Sequence, residues 1–599
     1  MTIIEKIIAL HSERKSVSPG EIVNIQIDSR VARDFGGANV VKHIEENGLS
    51  IEDPSKTFFT FDCNPTGSDQ KYAENQQKCR IFAKKWGIKV FDINCGIGTH
   101  IAIDKGLAYP SSTFVSTDSH ANILGAIGAF GQGMGDIDIA AAFAYGKVWF
   151  KVPQSVKIVL EGMPKKGVEP KDVALFLLKH YGANGLLGVS AEIYGEYAEK
   201  LPLSGRITIS SMATEMGAII IFFPPNEEII DKFRNVATKK DFEPVFADKN
   251  ANYLRTDRFD LTKAEIMVSK PGHPEDAVPI EEVRGKRVDS VFIGSCTNGR
   301  IEDLREAAEI LKNRKVAKNV VLKIVPSTDE VWKMAMDEGL FKIFKDAGAL
   351  ISNAGCGGCA AGQVGQNGPN EVTVSTGNRN FAGKQGKGEV YLSSPKVAAA
   401  SAVAGFITDP SNIDMKIEFE PPQKEQKTSP VEKKEKPQEK KPLKIKGRVW
   451  LIKKDNIDTD MIFHNKHLAI TKIEEMGQFA FGNLKGYEDF PQKAKEGDII
   501  VTRENFGAGS SRQQAVDCFK ALKIGAIIAK SFGAIYERNA INSGFPIVVS
   551  DLIDKGLKEG EMIEVDFEKG EIIRENGETL KFEKWSSVQK EIYLKGGLL

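Results

Sequence analysis

Between residues 285 and 415 the apolar positions fall into short continuous runs separated by stretches with helical spacing. Val288–Gly294 and Gly348–Asn353 are β-prone runs that end in turn residues. Between them the spacing predicts a helix over Ile301–Lys312, a strand over Val320–Val325 and a helix near Glu330–Glu338, with a helix of small residues following over Lys396–Phe406. Strands alternating with helices imply parallel sheets joined by right-handed crossovers. The alternation also runs through residues 166–285, and residues 1 to about 165 mix helix signals with short β-prone runs such as Ile88–Asn94. The longest apolar run, Ile219–Phe223, is strand-sized and stops at Pro224-Pro225, so a membrane span is not expected.

The pattern breaks at Pro421. From there to Pro442 prolines, lysines and glutamates stand with hardly an apolar residue, a composition suited to a solvated tether. Alternation resumes over residues 443–599, giving expected divisions of 1–284, 285–420, 421–442 and 443–599. A chain of 599 residues is too long for one core, in keeping with several domains. Basic and acidic side chains balance at 81 each, so no whole-molecule attraction to a polyanion is built in and no nucleic-acid partner is expected. The start, Met1–Ile7, shows no signal-peptide pattern, and seven sparse cysteines fit reduced thiols or metal ligands. Cytoplasm is the expected compartment.

Candidate chemistry centres on two phrases rich in small residues, Gly294–Arg300 around Cys296 and Asn353–Gly362 around Cys356 and Cys359. Each follows a predicted strand, where the crevice of an α/β sheet lies, and glycines beside the sulfurs admit a bulky group. A soft metal centre, a zinc site completed by histidine and plain buried thiols are the open readings at this level. Cys79, Cys95 and Cys518 have no such surroundings and read as core thiols. A glycine-studded stretch over 125–135 lacks the spacing of a dinucleotide fingerprint. In the last region, Phe506–Arg512 precedes residues at helical spacing, which places Ser510, Ser511 and Arg512 at a helix amino terminus suited to an anion.

Taken together, the cysteine phrases, Thr117–His120, Asn378–Lys384, Asn456–Asp460 and Gly509–Arg512 resemble the aconitase superfamily, and Ala144–Pro153 is similar to its isopropylmalate isomerase and homoaconitase branch. The resemblance covers nearly the whole chain except the tether, with the branch's separate large and small subunits joined, so no separate small subunit is expected. It implies an α/β fold with a three-part large region around an iron-sulfur cluster and a C-terminal α/β swivelling domain. It also implies a 4Fe-4S cluster on Cys296, Cys356 and Cys359 with one open iron. The implied activity is a hydro-lyase that dehydrates and rehydrates a small hydroxy di- or tricarboxylic acid, most like 3-isopropylmalate dehydratase. Aconitase, homoaconitase or dimethylmalate dehydratase activity are alternatives, as are a cluster-binding relative without catalysis and an iron-responsive RNA binder. By the same resemblance Ser510 is the base, Asp118, Ser119 and His120 contact substrate and cluster water, and His100 and Glu215 belong to the acid–base network. Arg379 is the carboxylate clamp, and Ser511 and Arg512 are substrate contacts.

Several positions depart from that pattern. Asp62-Cys63 stands where the family usually has Asp-His, so the role of proton donor to the leaving hydroxyl stays at Cys63, moves to His100 or is lost. Lys384 replaces a second arginine and keeps charge without the bidentate fork. Ser211 stands where asparagine is common, and Gln513-Gln514 where Glu-His is usual. In the specificity loop Ala469 offers nothing to a distal carboxylate and points to an apolar substituent, whereas Lys466 or His467 offers a cation.

Overall fold

A computed structural model of the chain describes residues 1–65, 69–360, 362–417, 441–468, 470–509 and 512–598. It divides into two compact units, Met1–Phe419 and Glu420–Leu599.

Among the described residues the first unit is built on three larger sheets and an antiparallel pair, Ile22–Gln26 with Lys147–Lys151. In the first, Lys89–Phe91, Thr57–Thr60, Ser29–Arg33, Thr113–Ser116 and Phe130–Gly133 lie side by side in that order, all parallel. The second has Ile220–Phe222, Ser190–Tyr194, Ser155–Glu161 and Arg255–Asp260, again parallel. The third runs Ala277–Pro279, Met267–Ser269, Glu389–Leu392, Val372–Ser375, Ser290–Ile293, Val321–Ile324 and Leu350–Ile351. Its last five strands are parallel and its first two are an antiparallel edge. That edge comes from before residue 285, so this sheet draws strands from both sides of the expected division at 284/285. Its strands carry too few apolar residues in sequence to announce themselves.

Central strands such as Thr57–Thr60, Thr113–Ser116 and Ser290–Ile293 are buried at every position, as parallel strands covered on both faces must be. Helix Ile301–Leu311 buries Ile301, Leu304, Ala307, Ala308 and Leu311, the stripe its three- and four-residue spacing dictates. The helix Pro395–Ala404 is almost entirely small and buried, so it packs closely against that stripe and the sheet. Of the thiols outside the two phrases, Cys79 is fully buried in the first core, whereas Cys95 is only partly buried.

The second unit has one seven-stranded sheet in the order Ile547–Val549, Ala526–Ala529, Ile499–Thr502, Lys444–Ile452, Met562–Asp566, Glu571–Arg574 and Thr579–Lys581. The first four strands are parallel and the rest antiparallel. Cys518 lies in its core on the helix Gln514–Ala521. The tether lies outside the described residues apart from its last two positions. Among the described residues no helix is long and apolar enough to cross a membrane.

Candidate active site

Parallel strands of the first and third sheets deliver their carboxyl ends to one cavity of about 500 Å³. Arg33 ends Ser29–Arg33, Cys63 follows Thr57–Thr60, and Asp118, Ser119 and His120 follow Thr113–Ser116. From the third sheet Cys296 follows Ser290–Ile293, Cys356 and Cys359 follow Leu350–Ile351, and Arg379 and Lys384 follow Val372–Ser375. All of these side chains line the cavity, in the position where α/β sheets bind ligands.

Local backbone geometry presents the sulfurs. Gly294 passes so near the neighbouring strand that a Cβ there would sit 2.5 Å from the Val325 carbonyl oxygen. Ser295 then takes a left-handed φ of 74°, a conformation that costs a non-glycine residue of order 1–3 kcal/mol. The turn is tied down where the Gly294 N–H donates to Thr376 Oγ1 at 2.9 Å and that hydroxyl donates to the Gly294 carbonyl at 3.0 Å. At the other phrase the Cys356 N–H donates to the Asp62 carbonyl at 3.0 Å. Gly357, with φ of 54°, lies where a Cβ would meet the Phe292 ring at 2.8 Å.

Arg33, which sequence reasoning missed, sits among the charges. Its Nε donates to Asp62 Oδ1 at 2.7 Å, its Nη2 to Cys356 Sγ at 2.7 Å, and its Nη1 pairs with Asp118 Oδ1 at 2.9 Å. Burial pushes the Asp118 carboxyl up, but Arg33 and His120 outweigh it and hold the group below its ordinary value. Burial wins at Asp62, which is pushed up to about 6 although Arg33 pulls the other way. Asp62 also accepts from the Gly98 N–H at 2.8 Å, while buried Asp34 accepts from the Cys63 N–H at 3.0 Å and fixes that loop. The Cys63 thiol is raised well above its ordinary value by its contact with Cys356 and then by burial. Ligand atoms of Asp62, Cys63 and Cys356 lie within 4.8 Å of one another, a spacing suited to one tetrahedral ion. A cation there would face the guanidinium that already bonds two of the three donors.

A second polar chain runs from Ser119 Oγ to His120 Nδ1 at 3.3 Å, from His120 Nε2 to Glu215 Oε1 at 3.2 Å, and from Arg379 Nε to the same oxygen at 2.8 Å. Burial raises the Glu215 carboxyl, but His120 and Arg379 together bring it below its ordinary value. Glu215 Oε2 is buried with no partner among the described residues. Behind this chain lies Lys171, also unanticipated, fully buried and donating to the Gly377 and Thr376 carbonyls at 2.7 and 3.3 Å. Burial pushes its ammonium down to about 8 against the opposing charges of Glu215 and the cysteines.

His100 is placed differently from the cavity residues. It is buried, its Nε2 bonds the Cys296 carbonyl at 2.9 Å, and its Nδ1 has no partner among the described residues. Burial and then the charge of Arg300 push its pKa down to about 4. It supports the Cys296 backbone and is not among the cavity's lining side chains.

In the second unit Arg512 stands two residues before the helix Gln514–Ala521. Its Nη1 donates to Asp460 Oδ1 at 2.5 Å and to the Phe463 carbonyl at 3.0 Å. Burial and the opposing pull of Arg512 leave the Asp460 carboxyl below its ordinary value. Gln513 is held by Asp517 and Ser543, while Gln514 donates to the Leu468 carbonyl. His467 stacks on Phe479 with ring centroids 3.9 Å apart, and burial lowers its pKa. Lys466 is exposed. Ser510, Ser511 and Ala469 lie outside the described residues.

Parallel strands that bring their carboxyl ends to a single polar crevice place the first unit among α/β proteins that bind small ligands at that edge. Sequence comparison narrows this. The model of the aconitase family (aconitate hydratase) matches residues 5–405, and that of the aconitase C-terminal domain matches residues 443–551. The 3-isopropylmalate dehydratase large subunit of Sulfurihydrogenibium sp. (strain YO3AOP1) is 40% identical over 418 residues, covering 69% of this chain and 97% of its own length. The homoaconitase large subunit of Thermus thermophilus is 39% identical over 416 residues, covering 69% of this chain and 98% of its own. A solved 3-isopropylmalate dehydratase (leuD) of Methanocaldococcus jannaschii is 41% identical over 26% of this chain and 90% of its own, with a TM-score of 0.24. The chain belongs to the aconitase family. It is a hydro-lyase by that membership, and membership implies a 4Fe-4S cluster.

Proposed function

We propose that the chain dehydrates and rehydrates a small hydroxy di-acid with an apolar substituent, of the 3-isopropylmalate kind, with Cys296, Cys356 and Cys359 holding the cluster. The observation that carries this reading is that the three thiols line one cavity with three cationic side chains, Arg33, Arg379 and Lys384, beside a buried carboxylate–imidazole chain. The surroundings fit such a group. Gly377 leaves open the position, 3.7 Å from Cys359 Sγ, that a Cβ would fill, and the donors are soft sulfurs. When bound, a cluster held by three thiolates has one iron able to polarise a hydroxyl and a carboxylate as a Lewis acid.

The chain's own residues do the rest. Arg379 and Lys384 bind substrate carboxylates, Arg379 keeping its orientation through the bond from Nε to Glu215. His120 and Glu215 form an acid–base pair through their 3.2 Å hydrogen bond, and Ser119 holds the other imidazole nitrogen. Cys63 lines the cavity and His100 does not, which favours the Cys63 thiol as donor to the leaving hydroxyl. Ser510 keeps the role of base that the family resemblance implies, with Ser511 and Arg512 as substrate contacts. The apolar substituent rests on Ala469 and on the 3-isopropylmalate dehydratase relatives.

The test is a substrate panel on cluster-loaded protein under argon, containing isopropylmalate, citramalate, dimethylmalate, citrate and homocitrate. Turnover of an alkyl-substituted malate in preference to citrate is expected. No turnover across the panel, or preference for a third carboxylate, overturns the assignment.

A further inference from the structure

We propose that Arg33 is a positioning residue for the cluster, holding Cys356 in place by a charged hydrogen bond to its sulfur while tying that ligand to the carboxyls of Asp62 and Asp118. The inference rests on the functional reading above and extends it to a residue outside the predicted set. Each nitrogen of the guanidinium has a different partner, Asp62 through Nε, Asp118 through Nη1 and Cys356 through Nη2, at 2.7, 2.9 and 2.7 Å. The partners come from three separate loops, and Arg33 itself ends a fourth segment, the strand Ser29–Arg33. Only a planar fork of donors meets three such directions at once.

Two consequences follow from this geometry. Three of the five N–H donors of Arg33 are committed to these partners, so substrate carboxylates are left chiefly to Arg379 and Lys384. Second, a cationic donor on a ligand sulfur offsets thiolate charge and fixes the direction in which that sulfur faces the cavity. Hydrogen bonds to ligand sulfurs are a known lever on iron-sulfur centres, and partners of metal ligands are typically worth about 10- to 100-fold in metal affinity. The Arg33 side chain is 11% exposed, so water competes little for the bond. The Asp62 carbonyl also accepts from the Cys356 N–H at 3.0 Å, so the guanidinium reinforces a junction the backbone has already made.

The test uses the full-length chain, reconstituted under argon, as wild type, Arg33→Lys and Arg33→Gln. The readouts are the lifetime of the iron-sulfur absorbance after admission of air, bound iron after gel filtration, and the thermal midpoint of the cluster-free protein. Both variants are expected to lose the cluster about 10- to 100-fold faster than wild type. Arg33→Lys, which retains a positive charge beside Asp62 and Asp118, is expected to unfold near the wild-type temperature. Wild-type lifetimes in both variants overturn the inference, as does full recovery of the lifetime in Arg33→Lys. Lifetimes that merely follow the unfolding midpoint in both variants assign Arg33 a general structural role and overturn it too. A wild-type chain that takes up no cluster overturns the functional reading itself and this inference with it.

Discussion

His100 offers a quantitative check on whether a buried histidine beside a cluster phrase is a proton carrier or a support. Its pKa is pushed from 6.5 to about 4 by burial and by Arg300. Between those values the unfolded chain binds a proton that the folded chain does not, so stability rises with pH through this window and the contribution is fully present only above 6.5. A gap of about 2.5 pH units corresponds to about 3 kcal/mol, of which about 2 kcal/mol is already lost at pH 5. His100→Gln removes the titration and retains a donor for the Cys296 carbonyl. Urea unfolding of cluster-free wild type and variant at pH 7 and pH 5 isolates the effect, because Asp118 and other carboxylates titrate in both proteins. The wild type is expected to lose about 2 kcal/mol more than the variant over that interval. Equal losses would refute the assignment of His100 as a neutral, buried support.

Three further outcomes are expected. Glu215→Gln removes the charge that pairs with His120 and Arg379 and lowers kcat by about 10²- to 10⁴-fold with the cluster retained, measured by turnover and iron content on the same sample. Ser510→Ala abolishes nearly all turnover while leaving iron-sulfur absorbance unchanged; an active Ser510→Ala enzyme removes that serine from the mechanism. Gly294→Ala places a methyl 2.5 Å from the Val325 carbonyl oxygen and costs about 1–3 kcal/mol, seen as a lower midpoint in thermal unfolding.

The elements that sequence reasoning located well are those with strong local rhythm. Ile301–Leu311, Asp329–Asp337 and Pro395–Ala404 fall within a residue or two of their expected bounds, because an apolar stripe or a run of small residues dictates each helix. The thiol phrases were legible because turn residues and glycines follow short β-prone runs, one of them, Ser290–Ile293, buried throughout and the other, Leu350–Ile351, partly exposed. Arg33 and Lys171 were not, since a buried charge is defined by partners far along the chain. Arg33 and Cys356 are separated by 323 positions, and Lys171 and Gly377 by 206. A signal for Arg33 did exist, an Arg-Asp pair directly after the apolar Val31-Ala32 at the end of a strand. The same limit applies to Arg512, whose pairing with Asp460 spans 52 positions. His100 shows the converse, since a histidine inside a suggestive phrase proves to face a backbone carbonyl.

The central claim is that Cys296, Cys356 and Cys359, and not Cys63, hold the cluster. Bound iron and sulfide after anaerobic reconstitution of four single serine variants test it most directly. Cys63→Ser is expected to carry the wild-type complement, while Cys296→Ser, Cys356→Ser and Cys359→Ser each lose most of it. A Cys63→Ser chain that fails to hold iron, beside a Cys296→Ser or Cys359→Ser chain that keeps it, would contradict the account.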